Sequence, residues 1–168
     1  MSLEDFVREF ETVFVCRLFR TIEQGGQWRQ RTIKGSWRGP TATGCQGDLS
    51  AAKQYAFSAS RPCEIFITLA VDMEFGHAEN DDEDQSFIAL FVLEGKNGKK
   101  WPYLSAKKLV TSSGPFTNQS PVTVTSSRFE VSDQGYVIVP LAFKDTTERD
   151  WTLTIYADYD FDLVDLDA

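Results

Sequence analysis

Gly135-Tyr-Val-Ile-Val-Pro140 and, ten residues on, Asp150-Trp-Thr-Leu-Thr-Ile-Tyr156 decide how this chain folds. In the second run Trp151, Leu153 and Ile155 alternate with Thr152 and Thr154, so an extended backbone presents the large apolar side chains on one face. That is the signature of a half-buried strand. The first run is an unbroken β-branched stretch; Gly135 lets the chain turn tightly into it, and Pro140, which lacks a ladder donor, is expected to end it.

Working outward, Thr12–Phe19, Trp28–Lys34, Gln54–Ser58, Cys63–Val71 and Ser86–Leu93 are further short runs rich in β-branched and aromatic residues. Turn chemistry separates them: Gly25-Gly26, the glycine-rich stretch Gly35–Gly47 read as an ordered loop, Asn97-Gly98 within Lys96–Lys99 as a hairpin-type turn, and the loop Ser112–Pro115. There is no long amphipathic helix pattern and no internal repeat. The expected fold is therefore all-β, an antiparallel sandwich of about eight strands, C2-like or jelly-roll-like. Residues 1–10 read as a leader or an expression remnant, 11–164 as the sandwich and 165–168 as an acidic tail ending at a boundary. Asp158–Asp162 alternates acid with apolar residues; it either extends the last strand with Tyr159, Phe161 and Leu163 inward or is a linker.

The whole chain, 168 residues, suits one core, and 13 Phe, 5 Tyr and 4 Trp supply bulky side chains to fill it. A net charge of −8 repels phosphate backbones, which argues against a nucleic-acid partner. Cys16, Cys45 and Cys63 are odd in number and form no CxxC pair, so they read as reduced thiols of a cytoplasmic protein. The first ten residues hold no apolar run of the kind a signal peptide needs, and no stretch reaches the roughly 20 apolar residues of a membrane-spanning helix.

Three places resemble the C2-like β-sandwich of calpains, their domain III, in the family's order. Gly35-Ser-Trp37 with Ala42-Thr-Gly-Cys45 is similar to the family's Gly-x-Trp and Ala-Gly-Gly-Cys loop. Gln54-Tyr55 is similar to the strand entry that follows it. Ser127-Arg-Phe-Glu130, Gly135–Pro140, Phe143 and Asp150–Tyr156 are similar to the family's Ser-Arg-Phe, Gly-x-Tyr-Val-Ile-Val-Pro and Gly-Asp-Phe-x-Leu segments. The resemblance spans roughly Phe10 to Val164. It implies a non-catalytic regulatory and interaction module of a calcium-dependent, calpain-like cysteine endopeptidase, one that packs against the protease core or a sister sandwich, with calcium or phospholipid as optional ligands and no required cofactor. The family's acidic loop follows the strand that begins here at Gln54, where this chain has only Ser58-Ala-Ser-Arg-Pro62, so that loop's functions do not transfer position by position. The family's Pro-Pro-Gly ahead of the tyrosine reads Ser132-Asp-Gln-Gly135 here, a more flexible entry.

The chain's own acidic run comes one loop later. Glu79, Asp81, Asp82, Glu83 and Asp84 crowd five carboxylates into six positions, and neighbours about 6 Å apart in water repel by roughly 0.7 kcal/mol. A divalent cation such as calcium would relieve that repulsion, although the spacing is not that of an EF-hand; a solvated loop is the alternative. Lys96, Lys99, Lys100, Lys107 and Lys108, interleaved with Trp101 and Tyr103, would suit anionic phospholipid or a protein partner, unless they form a solvated hairpin with Trp101 turned inward. Cys45 would be a nucleophile only beside an imidazole; the sole histidine, His77, adjoins the acidic run, whose charge favours the protonated ring. No catalytic residue is assigned. A carbohydrate-binding jelly roll is the alternative class, with Trp28, Trp37 and Tyr55 as a stacking platform, although Trp37 is more simply a core plug over the glycine loop.

Overall fold

Alternation along Asp150–Tyr156 becomes the spine of the molecule. In the computed structural model, residues 1–10, 18–71, 87–118, 120–125, 128–145 and 147–167 are described. They form a short helix α1 (Leu3–Glu9) and nine strands: β1 (Arg29–Trp37), β2 (Tyr55–Ala59), β3 (Ile65–Val71), β4 (Ile88–Glu94), β5 (Leu109–Ser112), β6 (Val122–Thr125), β7 (Tyr136–Ala142), β8 (Arg149–Ala157) and β9 (Phe161–Asp165). Every pairing is antiparallel, in a four-stranded sheet ordered β1-β8-β3-β6 and a five-stranded sheet ordered β5-β4-β7-β2-β9. The expected sandwich is present, with nine strands where about eight were read. The ninth is the C-terminal segment. It is neither a linker nor an extension of β8: the chain turns at Asp158–Asp160 and β9 joins the other sheet beside β2, with Phe161 and Leu163 packed against the core. Of the strand expected over Thr12–Phe19 only Leu18 and Phe19 are described, and they are irregular.

The core between the sheets takes Trp151, Leu153 and Ile155 from β8, Ile65, Ile67 and Leu69 from β3, Ile88, Leu90 and Val92 from β4 and Ile138 from β7. β7 shows why its sequence does not alternate. Its other face, Val137, Val139 and Leu141, is buried in a second cluster outside the five-stranded sheet, beneath Leu49, Ala52, Trp101, Leu104, Phe116 and Leu166. A strand covered on both sides reads as a continuous apolar run.

Two sequence readings of β1 and β7 are corrected. β1 does not stop at Gly35 but runs on to Trp37, because Gly35 stands opposite Trp151 and the indole lies across it; a Cβ there would come within 2.3 Å of the ring. Nor does Pro140 end β7, which continues to Ala142. Its partner Leu90 exchanges hydrogen bonds with Ser113 on the far side, so the Leu90–Pro140 pair is one that exchanges none and the proline nitrogen faces β2. β2 pairs with β7 only as far as Ile138, so no ladder bond is lost at Pro140. The vacated place is taken by Trp37, whose Nε1 donates to the Pro140 carbonyl at 3.3 Å. Gly135 behaves as expected: it turns the chain into β7 at φ 65°.

The outer face of the four-stranded sheet is polar. Thr32, Thr154, Thr68 and Thr123 stand in one rank across all four strands, and the next rank, Tyr156 and Phe66, is roofed by Phe19 and Trp28.

Candidate interaction surface

The layer outside the five-stranded sheet is built from loops, and a single buried side chain fastens it. Gln54 is fully buried one residue before β2; its Nε2 donates to the carbonyls of Leu49 (2.8 Å) and Trp101 (2.7 Å), and its Oε1 accepts the Trp101 N–H (2.8 Å). Its own carbonyl accepts the Leu166 N–H. One amide thus holds the 49 loop and the 101 loop onto the sheet, while its backbone anchors the chain leaving β9. Both donors and the acceptor are used, as burial demands.

Beside Gln54 lies a cluster of opposite charges. Lys53 Nζ is 3.2 Å from both Asp165 and Asp167, and Lys100 Nζ bonds Asp167 and the Ser50 carbonyl. Burial alone would lower the Lys53 pKa, but Asp167 and Asp165 outweigh it and raise the ammonium above its ordinary value. Burial likewise pushes the Asp167 carboxyl up, and the hydrogen bonds and charges of Lys100 and Lys53 overcome that and hold it low. Asp165 and Asp167, in the region read from sequence as an acidic tail, close a clasp over the loop layer.

The lysines read as a basic patch have different surroundings. Lys100 is committed to Asp167 and Lys108 to Glu94 at 2.6 Å, and Lys96 lies over the Trp101 ring at 4.8 Å from its centroid. Lys99 and Lys107 are exposed, as is Tyr103. Trp101 itself packs against the second cluster and donates Nε1 to the Glu94 carbonyl, so the inward placement holds for its ring. The Asn97-Gly98 turn is present, both residues at positive φ, but it lies inside the long connection from β4 to β5 instead of closing a two-residue hairpin.

The acidic run Glu79, Asp81, Asp82, Glu83 and Asp84, and His77 with it, lie outside the described residues. Among the described residues no group of three or more histidine, cysteine or acidic side chains is placed to hold a metal. Trp37 and Tyr55 are buried to 1% and 3% exposure, Trp37 as the core plug expected of it, so with Trp28 they make no stacking platform for a sugar. Cys63 is buried, and burial, with the Asp158 carboxylate a smaller cause, pushes its thiol from 9.0 up to about 11. Cys45 is half-buried in the loop before β2, its backbone N–H on the Phe143 carbonyl. Sequence reading missed the clamp and the clasp. Only the polar residue at the mouth of an apolar strand hinted at Gln54; no local signal pairs Lys53 with residues more than a hundred positions away.

Comparison with known proteins agrees with this architecture. The model of the family described as calpain large subunit, domain III, matches residues 26–156, from just before β1 to the penultimate residue of β8. Similar proteins include the calpain-type cysteine protease DEK1 of Arabidopsis thaliana, 23% identical, the calpain clp-1 of Caenorhabditis elegans, 25% identical, and the calpain-type cysteine protease ADL1 of Oryza sativa subsp. japonica, 24% identical. Each alignment covers 93% of this chain but only 8%, 23% and 8% of the respective relative. The chain therefore spans less than a quarter of these relatives' length. With two antiparallel sheets and a family match over most of its residues, the chain belongs to the calpain large subunit domain III family.

Proposed function

We propose that this chain is a non-catalytic regulatory and interaction module of a calpain-type cysteine protease, packing against the protease core or a neighbouring β-sandwich and adjusting activity by contact. The carrying observation is the family match over residues 26–156, together with relatives that include far longer calpain-type cysteine proteases. The sandwich supports it: Lys53, Lys100, Asp165 and Asp167 are tied up in ion pairs, and the two described cysteines are a buried thiol and a loop thiol. Free Cys45 and Cys63 suit a cytoplasmic setting. Adding the purified chain to the protease core of its own parent protein should change the rate of peptide cleavage. Absence of both binding and a rate change would overturn the reading.

Calcium and anionic phospholipid are its candidate ligands. The five carboxylates between Glu79 and Asp84 supply hard oxygen donors, and calorimetric titration with calcium tests them; no heat at millimolar metal removes calcium from the proposal. Lys99, Tyr103 and Lys107 are each exposed, which supports contact with lipid headgroups. Co-sedimentation with phosphatidylserine vesicles should fall when both lysines become glutamate, and equal binding by that variant would remove the lipid contact.

A further inference from the structure

β1 is an edge strand, and the direction of each of its backbone groups follows from the bonds around it. At its entrance, Trp28 donates its N–H to the Arg20 carbonyl (3.2 Å) and accepts the Ile22 N–H (3.1 Å), so residue 28 faces the open edge and residues 20–22 fill that edge. At its exit, the Thr41 hydroxyl lies 3.4 Å from the Ser36 carbonyl and accepts the Arg38 N–H at 2.9 Å, so residues 36 and 38 face the same way and Thr41 closes that end. In an antiparallel pair the direction alternates residue by residue. Arg29, Arg31, Ile33, Gly35 and Trp37 therefore bond β8, and Gln30, Thr32 and Lys34 aim their N–H and C=O groups outward. Among the described residues no backbone bond reaches these three. Among the described residues the open edge is thus a window three residues wide, regular in register and closed at both ends by residues 20–22 and Thr41.

The charge at the window has one sign, against the sign of the whole molecule. Arg31 and Lys34 are exposed and unpaired among the described residues, whereas the arginines at its ends are neutralised, Arg29 by Asp160 (2.8 Å) and Arg38 by Asp150 (2.7 Å). Of the acids on the segments that close the window, Glu148 is bound to the Gly39 N–H and Glu23 stands exposed in the turn that follows Thr21. A second copy entering antiparallel would bring the same cations together, on molecules each carrying −8, and like charges across strands are destabilising. An acidic strand meets the opposite condition.

We propose that the Gln30–Lys34 edge of β1 takes up an extended, acidic peptide segment of a partner protein as an added strand, with Gln30, Thr32 and Lys34 supplying main-chain bonds and Arg31 and Lys34 selecting for carboxylates. The test uses the whole chain and a fluorescent peptide of alternating glutamate and valine. Its anisotropy should rise on titration, and the exchange of the Gln30, Thr32 and Lys34 amides should slow while that of Arg31 and Ile33, already bonded to β8, is unchanged. Arg31→Glu with Lys34→Glu should weaken binding roughly tenfold or more. Thr32→Pro, which removes an outward N–H and leaves the β8 ladder intact, should abolish binding with an unaltered circular dichroism spectrum; should it misfold, the charge-reversed variant still decides. The proposal is overturned by no binding at about 1 mM protein, where an affinity of only about −4 kcal/mol would register. It also fails if a lysine-valine peptide binds equally, if binding leaves the three amides unprotected, or if the edge proves to be occupied by a second copy in a concentration-dependent dimer.

Discussion

Gln54 shows how much one buried polar side chain can hold. Gln54→Leu keeps its bulk but strands the Trp101 carbonyl and N–H, each costing about 1–3 kcal/mol if left unsatisfied, while the Leu49 carbonyl keeps the Ala52 N–H. Part of that is recovered as the loops loosen toward water, so a net loss of about 2–4 kcal/mol is expected, read as a lower urea midpoint together with faster amide exchange at Leu49 and Trp101. The two buried tryptophans of the core, 6.0 Å apart, make a matched comparison. Trp37 donates its Nε1 to Pro140, whereas Trp151 Nε1 has no partner among the described residues. Trp37→Phe should therefore cost about 1 kcal/mol more than Trp151→Phe, and equal losses would show that the Pro140 contact contributes nothing. Cys63 ties stability to alkaline pH. Its folded pKa is raised, so ionisation favours the unfolded chain; stability is intact below the ordinary value of 9.0 and falls as pH rises from there toward about 11. Tyr55 and Tyr136, also raised by burial, act in the same direction at higher pH. Denaturant melts at neutral and alkaline pH should show a smaller decline in Cys63→Ala than in the parent chain.

Among the elements, β9 and the loops are joined by charge where β1 and β8 are joined by a ladder. The Asp167 carboxyl is held low, so the clasp is complete above the ordinary carboxylate value of 3.8 and its contribution is lost as pH falls through and below that value. Lys100→Ala should cost about 1 kcal/mol at neutral pH, since both groups remain in partial contact with water, and should make the acid decline shallower; an unchanged acid limb would mean that the clasp adds nothing to stability. β1 shows the opposite economy. Glycine weakens a strand interior, yet Gly35 allows Trp151 to lie flat across its neighbour, and Gly35→Ala would push a methyl into that ring. The composition of Gly35–Gly47 suggests a loop because glycine is scored by propensity, whereas here a side chain from the facing strand fills the place of the missing Cβ.

At the scale of the whole molecule, β4 and β7 belong to both apolar clusters, which should make the sandwich and its loop layer unfold together. Leu153→Ala in the inner cluster, expected to cost about 2–5 kcal/mol, and Leu141→Ala in the outer one should each shift a single transition, with near- and far-ultraviolet dichroism coincident. Separate transitions would mean that the loop layer opens alone. The net charge of −8 acts at this scale too, and Arg31 and Lys34 of β1, unpaired among the described residues, carry the opposite sign.

The strands around Trp151 and Val139, the all-β class and the family relationship were legible in the amino-acid order, because alternation, β-branching and turn residues are local signals read over a few positions. Trp37 could be placed inside for the same reason. The tertiary structure alone decided that Pro140 sits within a strand, that the last acidic residues close a clasp, that Lys96, Lys100 and Lys108 go to separate partners and that three residues of β1 have no backbone partner among the described residues. Each of these depends on which strand ends beside which, and on contacts between residues as far apart as Lys53 and Asp167. Such pairings are set when the sheets close over the core, and no spacing along the chain encodes them.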